Sequence, residues 1–314
     1  MTKPNVLMSV RLPELEYGRL VAAHPDVCVL GGPGGVATLP TVSPETSPWE
    51  EPDRYPEETV GELLRKADAV VATRIPDDLV ELAPRLRWLQ FTSAGIDHVW
   101  RPCLDRGSVV VTNARGLHGP GIAEFVAAGL LYFTRDVPQL VARQRQHQYR
   151  RFVAEELAGR SVAVLGFGAI GRSVGRLLRS LGMRVIGFSR EPAPWRSDAA
   201  DEIASYHALP SILPQLDILV AALPSARETA KLIGADLLGR MRATAIFVNV
   251  GRGQTVDEAA LVAMLREGRL KAAILDVQDR EPLPGDSPLW DMPNVLLSPH
   301  MAGATSQFFG RPIS

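Results

Sequence analysis

The sequence VAVLGFGAIG, at Val162–Gly171, decides the fold, because an apolar run leads directly into the pattern G-x-G-x-x-G. Three spaced glycines alone are weak evidence, but the residues around them are informative. Residues 161–165 are predicted to form a buried strand, and the apolar spacing over 172–181 predicts a helix. A second strand is predicted at 183–188. Together these elements make a βαβ unit whose first turn is formed by the glycines.

The glycines of this turn meet the requirements of a dinucleotide-binding site. Gly166 would allow a tight turn, Gly168 would let the backbone approach a pyrophosphate, and Gly171 would permit close packing of helix on strand. The phosphates of such a ligand lie at the N-terminus of the helix. We therefore expect the cofactor to contact Gly166, Gly168, Ala169, Ile170 and Gly171. The alternative is a purely structural turn in an α/β protein.

The residues that end the second strand bear on the choice of cofactor. Sites for NAD usually carry Asp or Glu about 20 residues past the glycines, where the carboxylate holds the ribose hydroxyls. In this chain Ser189 and Arg190 occupy that position. A carboxylate would repel a 2′-phosphate, whereas both of these side chains can donate hydrogen bonds to it. The sequence therefore predicts NADP in preference to NAD.

The composition is that of a two-domain protein without an excess of charge. At 314 residues the chain is long enough for two sizeable cores, and its 34 basic residues nearly balance 35 acidic ones. This balance gives no reason to expect binding to nucleic acid or to a membrane. The most apolar stretch, 122–133, is too short to span a bilayer. Cys28 and Cys103 lack the spacing of metal ligands, so we expect no metal, two buried free thiols and a cytoplasmic location.

Short apolar runs alternate with helical patterns on both sides of the glycine turn. Strands are predicted at 6–10, 27–30, 69–72, 88–91, 109–112, 217–221, 245–250, 272–277 and 295–297. This alternation is typical of parallel sheets with helices on their faces. We therefore predict an α/β fold with two domains, each a parallel sheet flanked by helices. The substrate domain, 1–113 plus 295–314, would be flavodoxin-like, and a Rossmann dinucleotide-binding domain, 114–294, would be inserted into it.

Two further segments have a distinctive composition. Residues 31–56 are rich in Gly, Pro, Ser and Glu, which predicts an extended surface loop. Residues 119–133 are apolar on nearly every face, which predicts a buried helix. This helix could be buried between domains, in a subunit interface or inside one chain, and the sequence leaves these alternatives open.

Arg252, Glu281 and His300 each follow a predicted strand of the second half of the chain. In open parallel sheets, ligands bind beyond the carboxyl ends of the strands, so these three side chains would converge beside the dinucleotide. Each also has an ordinary structural interpretation when taken singly. Together they suit the reduction of a 2-keto acid. Arg252 can pair with a carboxylate and polarise the carbonyl, His300 can donate a proton, and Glu281 can raise the pKa of His300.

Four stretches taken in order make the chain recognisable: TSAGIDH at 92–98, NVGRG at 249–253, LDVQDREPLP at 275–284 and SPHMAG at 298–303. With the glycine turn, they resemble the D-isomer-specific 2-hydroxyacid dehydrogenase family along almost the whole chain. The resemblance implies that Arg252, Glu281 and His300 are catalytic. It also implies that Arg252 and the backbone N–H groups around Ala94 and Gly95 hold the substrate. The further cofactor contacts that it implies are Leu223, Pro224, Val250 and Asp276.

Two departures from the family pattern refine the expectation. Gln278 and Asp279 stand where the family often has an aromatic residue and a glutamate, which alters the wall of the site. Ser189 and Arg190 resemble the glyoxylate/hydroxypyruvate reductase branch, which uses NADPH. We therefore expect an NADPH-dependent reductase of small 2-keto acids, working as a homodimer. The alternative is a sensor of nicotinamide nucleotides, since transcriptional corepressors are built on the same fold.

Overall fold

A computed structural model describes residues 3–10, 12, 14–31, 57–96, 99–190 and 198–306. The chain divides into two compact units, one formed by Met1–Leu117 with Ser306–Ser314 and the other by His118–Thr305. The predicted α/β fold with two parallel sheets is confirmed. Most of the loop predicted at 31–56 lies outside the described residues, and so do Asp97 and His98 at the end of the stretch TSAGIDH.

The first unit contains a five-stranded parallel sheet. Its strands are β1 (Asn5–Met8), β2 (Cys28–Leu30), β3 (Ala69–Ala72), β4 (Trp88–Phe91) and β5 (Val110–Thr112), and its helices are α1 (Glu14–Ala23), α2 (Glu57–Lys66) and α3 (Leu79–Leu82). The strands lie in the order β2-β1-β3-β4-β5, which is the flavodoxin-like order. Leu64 of α2 and Leu79 of α3 pack in one apolar cluster with Leu89 and Phe91 of β4.

The second unit contains a seven-stranded parallel sheet. Its strands are β6 (Ser161–Leu165), β7 (Arg184–Ser189), β8 (Glu202–Ser205), β9 (Ile218–Ala221), β10 (Ile246–Asn249), β11 (Ala272–Leu275) and β12 (Val295–Leu297). The order β12-β11-β10-β9-β6-β7-β8 is the Rossmann order extended by one strand. Every residue of β9, β10 and β11 is buried, as expected for central strands covered on both faces.

Helices cover both faces of this second sheet. They are α4 (Gly119–Thr134), α5 (Val137–Arg145), α6 (Ala169–Ser180), α7 (Leu209–Ile212), α8 (Ala235–Leu238) and α9 (Glu258–Arg266). Successive residues of β6 alternate between two apolar clusters, with Val162 and Val164 in one and Ala163 and Leu165 in the other. The two clusters are therefore the cores on opposite faces of the sheet.

The apolar helix α4 is buried largely within the second unit. Ile122, Val126 and Leu130 belong to the apolar cluster that also contains Val174 of α6. The helices approach closely, because a Cβ added at Gly119 would lie 2.3 Å from Oγ of Ser173 in α6. Burial inside one chain thus accounts for this face of α4.

The structure corrects the predicted domain boundaries, one edge strand and one thiol. Val295–Leu297 pairs with β11, so residues 295–305 belong to the second unit rather than to the substrate domain, and the second unit begins at His118 rather than at residue 114. The edge strand β8 was not predicted, because Glu202–Ser205 has no apolar run. The expectation of two buried thiols is wrong for Cys28, which is exposed at the start of an edge strand, whereas Cys103 is buried.

Candidate active site

The turn between β6 and α6 is shaped so that only glycine fits at its first and last positions. Gly166 has a φ of 94°, and a Cβ there would lie 2.5 Å from the carbonyl oxygen of Ala222. A Cβ at Gly171 would lie 2.4 Å from the carbonyl oxygen of Gly166. The backbone of the turn therefore packs directly against the helix and against the loop after β9.

The N-terminus of α6 opens onto free space. Gly168 is the N-cap residue, has no capping side chain, and a Cβ at this position would meet no atom within 4 Å. Ala169 and Ile170, in the first turn of the helix, are partly exposed. The positive end of a 12-residue helix with space in front of it fits the pyrophosphate of a dinucleotide.

At the end of β7, the last described residues before position 198 are Ser189 and Arg190. Ser189 is 2% exposed, and Arg190 next to it is exposed to solvent. Of these two residues, Arg190 therefore has the side chain that a ligand can reach from solvent.

The loops after β9 and β10 contact each other through their backbones. A Cβ at Gly251 would lie 2.5 Å from the carbonyl oxygen of Leu223. Leu223 and Val250 are buried, whereas Pro224 is exposed. The sequence-predicted cofactor contacts on these two loops thus form one continuous wall next to the glycine turn.

Arg252 lies on a loop that is fixed by hydrogen bonds to its main chain. Its carbonyl oxygen accepts hydrogen bonds from Nδ2 of Asn249 at 3.1 Å and from Oγ1 of Thr255 at 2.6 Å. Oδ1 of Asn249 accepts from the N–H of Gly251 at 3.1 Å, and the Arg252 guanidinium donates to the Gly251 carbonyl at 2.9 Å. Asn249, which the sequence analysis did not single out, is fully buried and organises this loop.

Asp276, directly after β11, holds the loop that carries His300. Its Oδ1 accepts hydrogen bonds from Oγ of Ser298 at 2.7 Å and from the N–H groups of Met301 and Ala302 at 2.8 and 3.0 Å. The N–H of His300 donates to the Asp276 carbonyl oxygen at 2.8 Å. His300 has a φ of 53°, a left-handed conformation that costs about 1–3 kcal/mol in a non-glycine residue. The bonds to Asp276 therefore hold His300 in a conformation that the chain would not adopt by itself.

Glu281 and His300 form the central contact of the site. Nδ1 of His300 lies 2.8 Å from Oε2 of Glu281, and the side chains are 45% and 33% exposed. The hydrogen bond to Glu281 raises the pKa of His300, against the opposing effect of burial. Burial by itself would raise the pKa of Glu281, but the hydrogen bond and charge of His300 outweigh it and that pKa is lowered. The contact thus favours an ion pair.

Arg252 is close enough to act electrostatically on both members of this pair. Its positive charge contributes to the lowered pKa of Glu281 and opposes the raised pKa of His300, while the negative charge of Asp276 supports protonation of His300. The second unit therefore brings together Arg252, Glu281, His300 and Asp276. This arrangement can hold an anion beside a proton donor.

The predicted substrate residues Ala94 and Gly95 lie in the first unit, directly after β4. The carbonyl oxygen of Ala94 accepts a hydrogen bond from Nδ2 of Asn113 at 2.9 Å. Oγ1 of Thr92 lies 2.9 Å from Oγ1 of Thr73. Ala94 and Gly95 are partly exposed, which leaves their backbone accessible to a ligand.

Two absences concern residues 3–10, 12, 14–31, 57–96, 99–190 and 198–306. Within them, no group of three or more His, Cys, Asp or Glu side chains is arranged to hold a metal ion. In the same part of the chain, no helix is both long and apolar enough to cross a membrane.

Comparison with known proteins identifies relatives along most of the chain. Residues 127–302 match the family described as "D-isomer specific 2-hydroxyacid dehydrogenase, NAD binding domain". Glyoxylate reductase of Aeropyrum pernix is 37% identical over 272 residues, which cover 82% of this chain and 80% of the relative. Glyoxylate/hydroxypyruvate reductase B of Yersinia pestis is 31% identical over 266 residues, covering 82% and 80%.

Solved structures of 2-hydroxyacid dehydrogenases and related reductases are also similar to this chain. The NADPH-dependent glyoxylate/hydroxypyruvate reductase of Sinorhizobium meliloti, in complex with NADP and sulfate, superposes with a TM-score of 0.75 at 27% identity and covers 98% of this chain and 91% of its own. A D-isomer specific 2-hydroxyacid dehydrogenase of Xanthobacter autotrophicus, in complex with NADPH and MES, superposes with a TM-score of 0.73 at 30% identity. The match covers 96% of this chain and 89% of that structure. The chain is therefore a member of the D-isomer specific 2-hydroxyacid dehydrogenase family and an NAD(P)-dependent oxidoreductase.

Proposed function

We propose that this protein is an NADPH-dependent reductase of small 2-keto acids of the glyoxylate/hydroxypyruvate type. The observation that carries the proposal is the contact between His300 and Glu281, which lies on the same sheet as the glycine turn and beside a positively charged arginine. The relatives named as glyoxylate and glyoxylate/hydroxypyruvate reductases support this substrate class. When bound, NADPH supplies the hydride that reduces the 2-keto carbon.

Arg252 would bind the carboxylate of the substrate and polarise the adjacent carbonyl group. A guanidinium matches a carboxylate through two parallel hydrogen bonds, which fixes the orientation of the keto acid as well as its position. The rigid main chain of the Arg252 loop supports this role, since two side chains hold its carbonyl oxygen. Backbone N–H groups around Ala94 and Gly95, in the first unit, are the further substrate contacts that we propose.

His300 would donate the proton that the reduced carbonyl oxygen requires. Because Nδ1 of His300 is bound to Glu281, its Nε2 is the nitrogen directed at the substrate. The raised pKa of His300 keeps it protonated to a higher pH than an ordinary histidine, and in the reverse direction the neutral imidazole would accept the proton. Glu281 therefore acts through His300, by holding its orientation and its charge.

The described residues fit a dinucleotide at four places along the second sheet. The turn residues 166–171 would hold the pyrophosphate, and Ser189 with Arg190 would favour the 2′-phosphate of NADP over NAD. Leu223, Pro224 and Val250 would form the wall beside the ligand, and Asp276 would lie next to the nicotinamide amide. The open N-terminus of α6 is the structural support for the first of these assignments.

The proposal is tested by following nicotinamide absorbance with NADPH and NADH, each with glyoxylate, hydroxypyruvate, pyruvate and phenylpyruvate. We expect oxidation of NADPH to be faster than that of NADH, with glyoxylate or hydroxypyruvate as the best substrate. His300→Ala should abolish turnover but retain NADPH binding, measured by fluorescence. Unchanged turnover in this variant would refute the role of His300. Absence of turnover in the native chain, combined with NADPH-dependent capture of a protein partner, would favour the sensor function.

We also propose that the protein works as a homodimer in the cytoplasm. Apolar side chains stay exposed on the outer side of α4 and α5 and on residues 146–156, which follow α5: Leu131, Leu140, Tyr149 and Val153. Tyr149 and Val153 are fully exposed, and a second copy of this chain is the partner that we propose for this surface. Light scattering coupled to gel filtration should give the mass of two chains.

The proposed cytoplasmic location is supported by the two cysteines, which are free thiols, as expected in a reducing compartment.

A further inference from the structure

Gln278 occupies a buried position between the strand ends that carry the proposed catalytic residues. It is 4% exposed, although glutamine is a residue type that is mostly found at protein surfaces. Its Nε2 donates hydrogen bonds to the carbonyl oxygen of Leu275 at 3.2 Å and to that of Ser298 at 3.3 Å. Leu275 ends β11, and Ser298 follows β12 two residues before His300. One side-chain amide therefore ties together the ends of two neighbouring strands.

The main chain of Gln278 contacts the loops of the other two proposed catalytic residues. Its N–H donates to Oε1 of Glu281 at 3.0 Å, so that one carboxylate oxygen binds Gln278 while the other binds His300. Its carbonyl oxygen packs against Gly253, where a Cβ would lie only 1.8 Å away. Gln278 is thus in contact with the segments that carry Arg252, Glu281 and His300.

The peptide that follows Gln278 is fixed from the side of α9. The N–H of Asp279 donates to Oε2 of Glu258 at 3.1 Å, and the carbonyl oxygen of Asp279 accepts from Nε2 of Gln254 at 3.1 Å. Glu258 is the first residue of α9, whose N-cap Asp257 accepts a hydrogen bond from the N–H of Ala260. Because this side of the turn is held separately, loss of the Gln278 amide would leave the turn anchored to α9 and the loop of His300 bound to Asp276, but would remove the direct tie between the two.

We propose that Gln278 is a positioning residue, whose side-chain amide keeps the Glu281 loop and the His300 loop at the separation that their 2.8 Å contact requires. The uncharged primary amide of Gln278 presents its two N–H groups to the two carbonyl oxygens. The aromatic side chain that the family often has at this position cannot do so. The proposal rests on the function proposed above, because it concerns how the proton donor of that reaction is held.

The pH dependence of the reaction reports on this separation. The charged groups that act on His300 are Glu281, Arg252 and Asp276, and none of them is altered by a substitution at Gln278. If the Gln278 amide holds the pair together, its loss weakens the effect of Glu281 on His300. The protonated form of His300 is then lost at a lower pH, whereas a general loosening of the fold would lower activity similarly at all pH values.

The experiment compares the native chain with Gln278→Met, Gln278→Asn and the control Gln215→Met. Methionine keeps the length of the side chain and removes both donors, whereas asparagine keeps the amide but is one methylene shorter. Gln215 is exposed and precedes β9, so it lies at the N-terminal ends of the strands, whereas the proposed catalytic residues follow their C-terminal ends. We measure kcat/KM for keto-acid reduction at pH 5.5 and pH 8, and titrate the histidine side chains by NMR without ligand, with His300→Ala to assign the signal.

For Gln278→Met we expect kcat/KM to fall about threefold to tenfold more at pH 8 than at pH 5.5, in line with the loss of about one net hydrogen bond. The titration of His300 should move to lower pH in this variant, with Gln278→Asn between it and the native chain and Gln215→Met unchanged. An equal decrease of kcat/KM at both pH values, or an unmoved His300 titration, overturns the proposal. Absence of keto-acid reduction in the native chain would instead refute the proposed function.

Discussion

Replacement of Glu281 by glutamine tests the central electrostatic contact of the site. Glutamine has nearly the same size as glutamate and can still accept a hydrogen bond from His300, but it carries no charge. The raised pKa of His300 depends first on its hydrogen bond to Glu281, so we expect Glu281→Gln to lower it. The proton donor would then lose its proton at a lower pH than in the native protein.

The size of the effect follows from the separation and exposure of the two groups. At 2.8 Å, the attraction between unit charges is about 1.5 kcal/mol with the dielectric constant of water and about 6 kcal/mol with a value of 20. Because the side chains are 45% and 33% exposed, solvent screening favours the lower end, and we take about 1–2 kcal/mol. This corresponds to about a fivefold to thirtyfold smaller population of protonated His300 once the pH exceeds its pKa.

The assay is the pH profile of kcat/KM for NADPH-dependent keto-acid reduction. For Glu281→Gln we expect a decrease of about fivefold to thirtyfold at pH 8 and a smaller decrease at pH 5.5, where a larger fraction of His300 is protonated in both proteins. In the oxidation direction the neutral imidazole is the active form, so the variant should reach its plateau at a lower pH. The control is Glu267→Gln, an exposed glutamate at the C-terminus of α9. Parallel profiles for the native protein and Glu281→Gln would refute the reasoning.

Three further predictions concern the cofactor, the packing of Gly253 and the stability of the ion pair. Arg190→Ala should raise KM for NADPH about tenfold to a hundredfold with little change for NADH, because a charge-assisted bond to phosphate contributes about 1.5–3 kcal/mol; equal changes for both cofactors would exclude this role. Gly253→Ala should lower the melting temperature and the activity, because its Cβ would lie 1.8 Å from the Gln278 carbonyl oxygen, whereas Gly285→Ala, with no atom within 4 Å, should lower neither. The melting temperature of the native protein should exceed that of Glu281→Gln most clearly between about pH 4.5 and pH 6.5. These limits are the ordinary pKa values of Glu and His. The raised pKa of His300 stabilises the native protein fully only below about pH 6.5, and the lowered pKa of Glu281 does so fully only above about pH 4.5. A difference in melting temperature that is flat from pH 4 to 9 would therefore contradict the ion pair.

The central part of the fold is predictable from the sequence because burial on both faces leaves a continuous apolar run. Ala69–Ala72, Ser161–Leu165 and Val295–Leu297 form strands with the predicted bounds. The edge strand Glu202–Ser205 pairs only with β7 and is partly exposed, so its residues carry no such pattern. The place where the chain leaves the second unit was also missed, because the pairing of Val295–Leu297 with β11, and not local sequence, assigns this segment to the second unit.

In the candidate site, too, local sequence predicts some features, whereas contacts between distant residues determine others. Arg252, Glu281 and His300 could be selected because each follows a strand, and their places in the chain indicate a common edge of the sheet. The contacts that hold them could not be selected in the same way. The hydrogen bond between Asp276 and Ser298 joins residues that are 22 positions apart, and Asn249 and Gln278 are ordinary amide residues in the sequence. Their importance follows only from the backbone groups that surround them.

The assignment of β12 to the second unit has a consequence for how the proton donor is prepared. Glu281, His300, Arg252 and the turn at Gly166 all belong to His118–Thr305, and the hydrogen bonds that shape the site are made within it. The groups that raise the pKa of His300 therefore all lie in this one unit. His300 would be prepared for proton donation before a keto acid binds, would lose its proton to the carbonyl oxygen during reduction, and would take up another from solvent before the next turnover.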